Sequence, residues 1–247
     1  MKIIAVLNHK GGTGKTTSSL NIGAGLARLK KKTLLVDLDP QTNLTEGLGV
    51  RKVKESVYNS MKNGTDLPIK NISEYLDLVP SSIDLLGAEL QLVSRSGRET
   101  ILKDLLDKVK NQYEYIIIDC PPALGMLTIN ALVSSDTLLI PLEAEFYSYR
   151  GIDRMILFIK EVRTHYNKKL TIGGVFITKC NHRRLLTDQI TENVKKHFKN
   201  KLLDTTIRVN VSLAEAPVQG KNIFEYAPTS NGAIDYGKLV DEILIKI

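Results

Sequence analysis

The sequence predicts an α/β protein with a mostly parallel, twisted sheet that carries helices on both faces. Strand-like and helical segments alternate along the chain, which is typical of βαβ units. The strand-like segments are continuous runs of Ile, Val and Leu, as expected of parallel strands that are buried on both sides. The first of these runs leads through a glycine-rich turn directly into the first helical segment.

The predicted strands are the short apolar runs of the chain. They cover residues 2–7, 33–36, 77–79, 115–118, 137–142, 170–178 and 205–209. Helical periodicity predicts helices between most of these strands. They cover residues 15–29, 83–93, 99–110, 124–133, 147–166 and 185–198, with a last helix from about 232 to 245. Residues 47–71 have the least regular pattern, and we expect a surface excursion there.

The length and composition favour one domain over residues 1–247. The chain is 43% hydrophobic and 25% charged, which is ordinary for a soluble globular protein. Its apolar runs are much shorter than the ~18 residues of a membrane-spanning helix, and the immediate first strand leads us to expect no signal peptide. The two cysteines, Cys120 and Cys180, do not form a C-x-x-C pair. We therefore expect a reduced, cytoplasmic protein in which both cysteines pack as small hydrophobes.

Basic residues are concentrated in one part of the chain. The net charge is +7, and residues 150–201 hold 13 basic and 4 acidic residues, whereas the rest of the chain carries a small negative charge. A local excess of this size can attract nucleic acid or an anionic membrane surface. A solvated, lysine-rich helical face is the alternative interpretation of the same charges.

The segment KGGTGKTT at residues 10–17 predicts a phosphate-binding loop of the P-loop NTPase type. Its backbone N–H groups and the helix N-terminus would face the anion, and its glycines let the backbone approach closely. Lys15 would reach the β- and γ-phosphates, and the Thr16 hydroxyl would hold Mg²⁺. A glycine turn with chance lysines is the alternative, which the position between a strand and a helix disfavours.

This loop departs from the usual pattern at its start. The usual loop has a glycine five residues before Gly14, where this chain has His9, and a second lysine, Lys10, opens the loop instead. The form K-G-G-x-G-K-T resembles the deviant Walker A loop of the ParA/MinD family of ATPases. That resemblance implies a loop lysine that reaches across a dimer to the partner's nucleotide.

Two more motifs place carboxylates after apolar strands. Asp37 and Asp39 follow one strand, and ligands of an open parallel sheet bind beyond the carboxyl ends of its strands. One of them can support Mg²⁺ through water while the other orients the attacking water, unless both only cap the turn before Pro40. Asp119 ends the strand in YIIIDCPP, which is the Walker B arrangement in which a carboxylate assists the metal. We expect all three motifs to converge on one triphosphate site.

Further segments extend the resemblance over essentially the whole chain, to the ParA/Soj family of DNA-partitioning ATPases. They are DLDPQ at 37–41, IIIDCPP at 116–122, PLEAEFY at 141–147, LAEAP at 213–217, SNGA at 230–233 and Tyr236. Because the first strand starts at residue 2, the chain resembles the shorter Soj type, without the N-terminal helix-turn-helix domain of larger plasmid ParA proteins.

The resemblance implies a function. ATP binding would form a sandwich homodimer, the dimer would bind DNA without sequence preference, and a ParB-type partner would stimulate hydrolysis and release. We therefore expect a Mg²⁺-dependent ATPase, slow without its partner, that partitions or positions chromosome or plasmid cargo. It would be cytoplasmic and nucleoid-associated, without stable membrane insertion.

The resemblance also assigns roles to single residues. Lys10 would be the lysine that reaches across the dimer, and Gly11 would face the dimer partner. Asp39 would position the hydrolytic water, while Asp37 and Asp119 would lie near the metal with Thr16. The expected catalytic residues are Lys10, Lys15 and Asp39. The expected nucleotide-binding residues are Lys10, Gly11, Gly12, Thr13, Gly14, Lys15, Thr16 and Thr17.

The expected DNA contacts differ from those of the family. Soj-like chains often carry basic residues where this chain has the neutral Thr229 and Asn231, and an acidic residue where it has Arg150. We therefore expect other basic groups to contact DNA phosphates, without sequence preference. The candidates are Arg183, Arg184, Lys195, Lys196, Lys199, Lys201 and Lys221.

Other functions stay open at this point. A MinD-like or cargo-positioning ATPase would act on a protein complex or a membrane. A membrane regulator would need a basic amphipathic tail beyond the fold, and Asp241 and Glu242 dilute the basic face of residues 238–247. An iron–sulphur reductase of the same superfamily would need cysteine motifs that Cys120 and Cys180 do not form. A nucleotide-gated scaffold would bind ATP with little turnover. The sequence does not name the cargo.

Overall fold

A computed structural model describes residues 1–92, 95–143, 152–180, 195 and 197–247. These residues form a seven-stranded sheet with helices on both faces, which confirms the predicted α/β fold. The strands are β1 (Lys2–Val6), β2 (Thr33–Asp37), β3 (Lys70–Ser73), β4 (Leu76–Val79), β5 (Tyr115–Asp119), β6 (Thr137–Glu143) and β7 (Thr171–Thr178). The helices are α1 (Lys15–Arg28), α2 (Asn43–Gly47), α3 (Val57–Asn63), α4 (Leu85–Leu92), α5 (Ile101–Asp107), α6 (Met126–Ser134), α7 (Ile152–His165), α8 (Ser212–Val218), α9 (Ile223–Tyr226) and α10 (Asn231–Lys246).

The order of the strands brings the three sequence motifs to one edge of the sheet. The order is β3-β4-β2-β5-β1-β6-β7, with β3 antiparallel to β4 and the other pairs parallel. Val6 of β1 and Asp37 of β2 flank Asp119 of β5 on either side. All three residues stand at the carboxyl ends of their strands, so the loops that follow them meet at the edge where ligands bind.

The sheet buries a hydrophobic core on each face. Successive residues of β1 point to opposite sides, so Ile3 and Ala5 pack with α3–α7, whereas Ile4 packs with α1 and α10. Helix α1 lies unusually close to the sheet, since a Cβ at Gly23 would stand 2.6 Å from Leu35 Cδ2. This close packing holds α1 against β2.

The last helix is part of this core. Tyr236, Leu239, Val240 and Ile243 of α10 are buried, and the helix packs against α1. Its apolar face is therefore covered by protein, as an amphipathic helix of a globular domain requires. Among the described residues, no helix combines the length and the apolar character needed to cross a bilayer.

The predicted strand at residues 205–209 is wrong. The segment runs beside β7, with Cys180 N donating to Ile207 O at 2.9 Å, but it forms only an isolated bridge, between Cys180 and Arg208. The backbone N–H of Arg208 donates to Asp235 Oδ2 of α10 at 3.0 Å. This bond ties the segment to α10, so residues 205–209 run as an irregular link between β7 and α10.

Residues 47–71 are more ordered than the expected surface excursion. They contain α3, whose Val57 and Met61 are buried in the core, and the start of β3. The N-terminus of α3 is capped by a side chain, since Ser56 N donates to Asn59 Oδ1 at 2.8 Å. The short helices α2, α8 and α9 were not predicted either. Most of the predicted helix at 185–198 lies outside the described residues, and the helix predicted at 147–166 is described from Ile152 onward.

We expect Glu242→Gln to lower stability by about 1–2 kcal/mol at neutral pH, because Glu242 holds the 204–205 turn against α10. Its carboxylate accepts the N–H groups of Asp204 at 2.8 Å and Thr205 at 2.9 Å, and the Lys246 ammonium at 2.7 Å. Burial alone would raise the pKa of Glu242, but these hydrogen bonds outweigh it and lower the pKa to about 2.

The pH dependence of stability checks this prediction. A carboxylate whose folded pKa is lowered stabilises the fold above its unfolded pKa, which is about 4.3, and this contribution disappears as the pH falls toward 2. The difference in urea stability between the two proteins should therefore be full at pH 7, shrink below about pH 4 and vanish toward pH 2. A constant difference across this range would show that the charge of Glu242 is not what stabilises the turn.

Candidate active site

The loop between β1 and α1 is held in place by the ends of β6 and β7. Asn8 Nδ2 donates to Pro141 O at 2.7 Å, and Asn8 Oδ1 accepts the N–H of Lys10 at 3.0 Å. From β7, Thr178 Oγ1 donates to Thr13 O at 2.8 Å. Gly12 and Gly14 have φ angles of 76° and 84°, in the left-handed region that favours glycine. The loop is therefore preorganised, with the N-terminus of α1 behind it.

Lys15 is a buried cation at the start of α1. It is 6% exposed, and its Nζ donates to the carbonyl oxygen of Lys10 at 3.2 Å, so the side chain turns back over the loop. Burial lowers the pKa of Lys15, while the nearby Asp119 and Asp39 carboxylates act in the opposite direction. A buried ammonium is costly unless it is paired, so this position favours an anion within the loop.

Asp119 ends β5 directly below the loop. It is fully buried, and Ser19 Oγ of α1 donates to its Oδ1 at 2.8 Å. Within the described part of the chain, its Oδ2 is buried and has no hydrogen-bond partner. Burial raises the pKa of Asp119, whereas the Ser19 and Thr16 hydroxyls lower it.

These residues fit a magnesium ion. An unpartnered carboxylate oxygen beside the Thr16 hydroxyl offers the hard oxygen ligands that Mg²⁺ prefers. The described residues contain no cluster of three or more His, Cys, Asp or Glu side chains. Mg²⁺ commonly takes few protein ligands and completes its shell with phosphate oxygens and water, so this donor set suits it.

Asp37 fixes the loop that follows β2. Its Oδ1 accepts the N–H of Asp39 at 3.1 Å, and its Oδ2 accepts Thr45 N at 2.9 Å and Thr45 Oγ1 at 2.6 Å. Burial and the neighbouring Asp119 carboxylate raise the pKa of Asp37. Both oxygens thus anchor α2 and orient the turn that carries Asp39. The expected place of Asp37 near a metal stays a prediction.

Asp39 stands between the loops that follow β2 and β5. It is 7% exposed, its Oδ1 accepts the N–H of Gln41 at 3.0 Å, and its carbonyl oxygen accepts Ser81 Oγ at 2.7 Å. Asp39 lines a cavity of about 200 Å³ together with Pro121 and Pro122. Its carboxylate is therefore fixed at the same sheet edge as the phosphate loop.

Lys10 and Gly11 form the outer rim of the loop. The Lys10 side chain is 31% exposed, and its Nζ stands 3.8 Å from Glu143 Oε2 at the end of β6. Gly11 is exposed, and no described atom lies within 4 Å of the position that a Cβ would take there. Neither residue thus packs into the subunit in the way that Lys15 does.

A second cavity, of about 210 Å³, opens beside the N-terminus of α1. Gly14 and Thr17 line it on the loop side, and Asn210 and Tyr236 line it on the other side. Within the described residues, Asn210 Oδ1 is buried without a hydrogen-bond partner. Sequence reasoning missed this cavity, because its residues outside the loop lie more than 160 positions away along the chain and form no motif with the loop.

The candidate DNA-binding residues divide into two groups. Arg183, Arg184 and Lys196 lie outside the described residues. The remaining four are exposed: Lys195, Lys199, Lys201 and Lys221. Lys195, Lys199 and Lys201 are close in sequence, at the end of the basic stretch, whereas Lys221 follows α8.

Comparison with known proteins gives consistent results. A family model described as an AAA domain matches residues 1–172. The chain is 47% identical over 247 residues to the sporulation initiation inhibitor protein Soj of Bacillus subtilis (strain 168), covering 98% of each chain. It is 40% identical over 253 residues to the chromosome-partitioning ATPase Soj of Treponema pallidum (strain Nichols), covering 99% of this chain and 98% of that protein.

A solved structure of a nucleotide-bound protein is similar to this chain over nearly its full length. Cobyrinic acid a,c-diamide synthase from Mycobacterium smegmatis, with a bound ATP analogue and magnesium, is 32% identical. It has a TM-score of 0.87 and is matched over 99% of this chain and 94% of that chain. From the phosphate loop, the buried Asp119 below it and the identity over nearly the full length, we conclude that this chain belongs to the ParA/Soj family of partitioning ATPases.

Proposed function

We propose that this chain is an ATP-driven dimerising switch that binds DNA non-specifically and partitions or positions chromosome or plasmid cargo. As a member of its family it is a Mg²⁺-dependent ATPase, with ATP and Mg²⁺ as ligands. The observation that carries the proposal is the different placement of two loop lysines. Lys15 is buried over the loop, whereas Lys10 stands at the rim.

Within one subunit, the buried residues divide the work of hydrolysis. Lys15 neutralises phosphate charge, and the Thr16 hydroxyl and Asp119 would hold Mg²⁺, which would supply positive charge to stabilise the transferred phosphoryl group. Asp39 orients the attacking water from the neighbouring loop. Phosphoryl transfer depends mainly on positioning and charge stabilisation, so a strong general base is not required.

The cavity beside α1 suits the base of the nucleotide. It adjoins Gly14 and Thr17, so a nucleotide with its phosphates in the loop would place its base there. The unpartnered Asn210 amide would offer a hydrogen bond to the base there.

Dimerisation would bring a lysine of one subunit to the nucleotide of the other. Lys10 at the rim would reach the nucleotide of the partner subunit, in the manner of an arginine finger, and the open space beside Gly11 would admit the partner's backbone. Two copies of a basic surface on one particle then bind DNA with a high effective concentration. ATP thereby switches DNA binding on, and a ParB-type partner that stimulates hydrolysis switches it off. The protein would work on the nucleoid in the cytoplasm.

A DNA-binding experiment tests this proposal. We expect gel shifts of two unrelated duplexes of equal length to appear with ATP, to be alike, and to be absent with ADP. The affinity should fall by about 0.9 log units per log unit of salt for each phosphate neutralised. Lys10→Ala should still bind ATP. Light scattering should show it as a monomer with ATP, and it should not shift DNA in the gel.

A matched pair of charge reversals identifies the surface. Replacing Lys195, Lys199 and Lys201 by Glu should abolish the shift and leave basal ATPase activity unchanged. The control replaces Lys52, Lys54 and Lys70, which are also exposed, by Glu. An ATP-bound dimer that ignores DNA at low salt would overturn the DNA part of the proposal and favour action on a protein complex.

A further inference from the structure

One carboxylate stands between two lysines at the rim of the phosphate loop. Glu143 ends β6, and its side chain is only 12% exposed. Its Oε1 lies 3.0 Å from Lys179 Nζ, and its Oε2 lies 3.8 Å from Lys10 Nζ. Lys10 belongs to the loop, but Lys179 belongs to no motif, and the proposed function gives it no role.

The backbone holds Lys179 in an unusual conformation. It directly follows β7 and has a φ of 49°, in the left-handed region that L-residues other than Gly, Asn and Asp rarely adopt. Its side chain is half exposed, and ion pairs of half-exposed lysines contribute little to stability. Non-glycine residues kept in this region cluster at ligand sites, so the position points to a ligand as well.

The Lys179 ammonium lies where a bound nucleotide would meet it. Its Nζ is 3.9 Å from the position that a Cβ of Gly12 would take. Lys179 also lines the 210 Å³ cavity together with Gly14 and Thr17. Its ammonium therefore lies beside the glycines of the phosphate loop, which Lys15 reaches from α1.

We propose that Lys179 binds the phosphates of a nucleotide in this loop, and that Glu143 competes with those phosphates for the Lys179 ammonium. The inference rests on the proposed binding of ATP in the loop. A nucleotide brings several negative charges to a site where Glu143 already places one. Lys179 then exchanges one anionic partner for another, and the released Glu143 carboxylate repels the bound phosphates.

This competition predicts opposite effects for the two partners of one ion pair. We expect Lys179→Met to weaken MgADP binding about tenfold or more, as for the loss of a charge-assisted hydrogen bond. Glu143→Gln should instead strengthen MgADP binding, about two- to fivefold, because it removes both a competitor and a repulsive charge. In the double variant the gain from Glu143→Gln should shrink. Isothermal titration calorimetry of the full chain measures all four affinities.

Two further variants separate charge from folding. Lys179→Gly relieves the left-handed backbone, so it should melt at a higher temperature than the wild type without nucleotide and still bind MgADP weakly. Lys238→Met removes an exposed lysine of α10 and should bind MgADP like the wild type. Adenosine, which lacks phosphates, should bind the wild type and Lys179→Met with equal affinity.

The possible outcomes are distinct. Equal MgADP affinity of Lys179→Met and the wild type would overturn the inference and leave the proposed function standing. Weaker binding by both Lys179→Met and Glu143→Gln would show that the ion pair only supports the structure, which also overturns it. A wild-type chain that binds neither MgADP nor MgATP would instead refute the proposed function itself.

Discussion

Lys15→Ala is expected to lose at least about 100-fold in affinity for MgATP and with it all measurable hydrolysis. The Lys15 ammonium is buried over the loop, where it donates to the backbone carbonyl of Lys10 at 3.2 Å. Hydrogen bonds to charged groups contribute about 1.5–3 kcal/mol each, and a phosphate would accept more than one from this group. Calorimetric titration with a non-hydrolysable ATP analogue measures the loss.

The same variant makes a second prediction about the free protein. Removing a desolvated cation relieves a cost of burial, so Lys15→Ala should unfold at no lower a temperature than the wild type. Lys103→Ala, at an exposed position of α5, is the matched control and should change neither property. Normal ATP affinity in a folded Lys15→Ala protein would mean that the nucleotide does not bind in this loop.

Asp39→Ala should bind MgATP normally and lose hydrolysis by about 100-fold or more, because only the placement of the attacking water is disturbed. Lys15, Thr16 and Asp119 remain in place, and Asp37 keeps its bonds to Thr45. The variant should therefore accumulate as an ATP-bound dimer. Single-turnover phosphate release and light scattering with ATP measure these two effects.

Two comparisons make this result specific. Asp39→Asn keeps the shape of the side chain and should be nearly as slow as Asp39→Ala, whereas Glu161→Ala, at an exposed position of α7, should turn over normally. Equal loss of ATP affinity in Asp39→Ala and Lys15→Ala would contradict the division between water positioning and phosphate binding. Full turnover by Asp39→Asn would show that the carboxylate charge is not needed.

The phosphate loop and the two carboxylate motifs could be found from the sequence because each is local. The glycines, Lys15 and Thr16 are neighbours along the chain, and Asp119 ends a run of buried apolar residues. The rule that ligands bind at the carboxyl ends of parallel strands then brings the motifs together. The observed register, with Asp37 and Asp119 paired, agrees with that expectation.

Sequence reasoning failed where a feature depends on distant partners. Glu143 and Lys179 are 36 positions apart and meet because β6 and β7 are adjacent parallel strands that pair at Glu143 and Thr178. The cavity residue Asn210 meets Gly14 and Thr17 only in the folded chain, where Asp235 of α10 also binds the N–H of the nearby Arg208. No local pattern could indicate these contacts.

The sequence by itself determined the fold class, the phosphate loop and the positions of Asp39 and Asp119, because period, motif and strand end are properties of short segments. Only the tertiary structure decided that Lys15 is buried while Lys10 stays at the rim of the loop. It also decided that one carboxylate oxygen of Asp119 lacks a hydrogen-bond partner among the described residues. The ion pair between Glu143 and Lys179 beside the loop is likewise a tertiary contact. These properties depend on which distant groups exclude water or supply hydrogen bonds. That is set by packing across the sheet, which no single segment encodes.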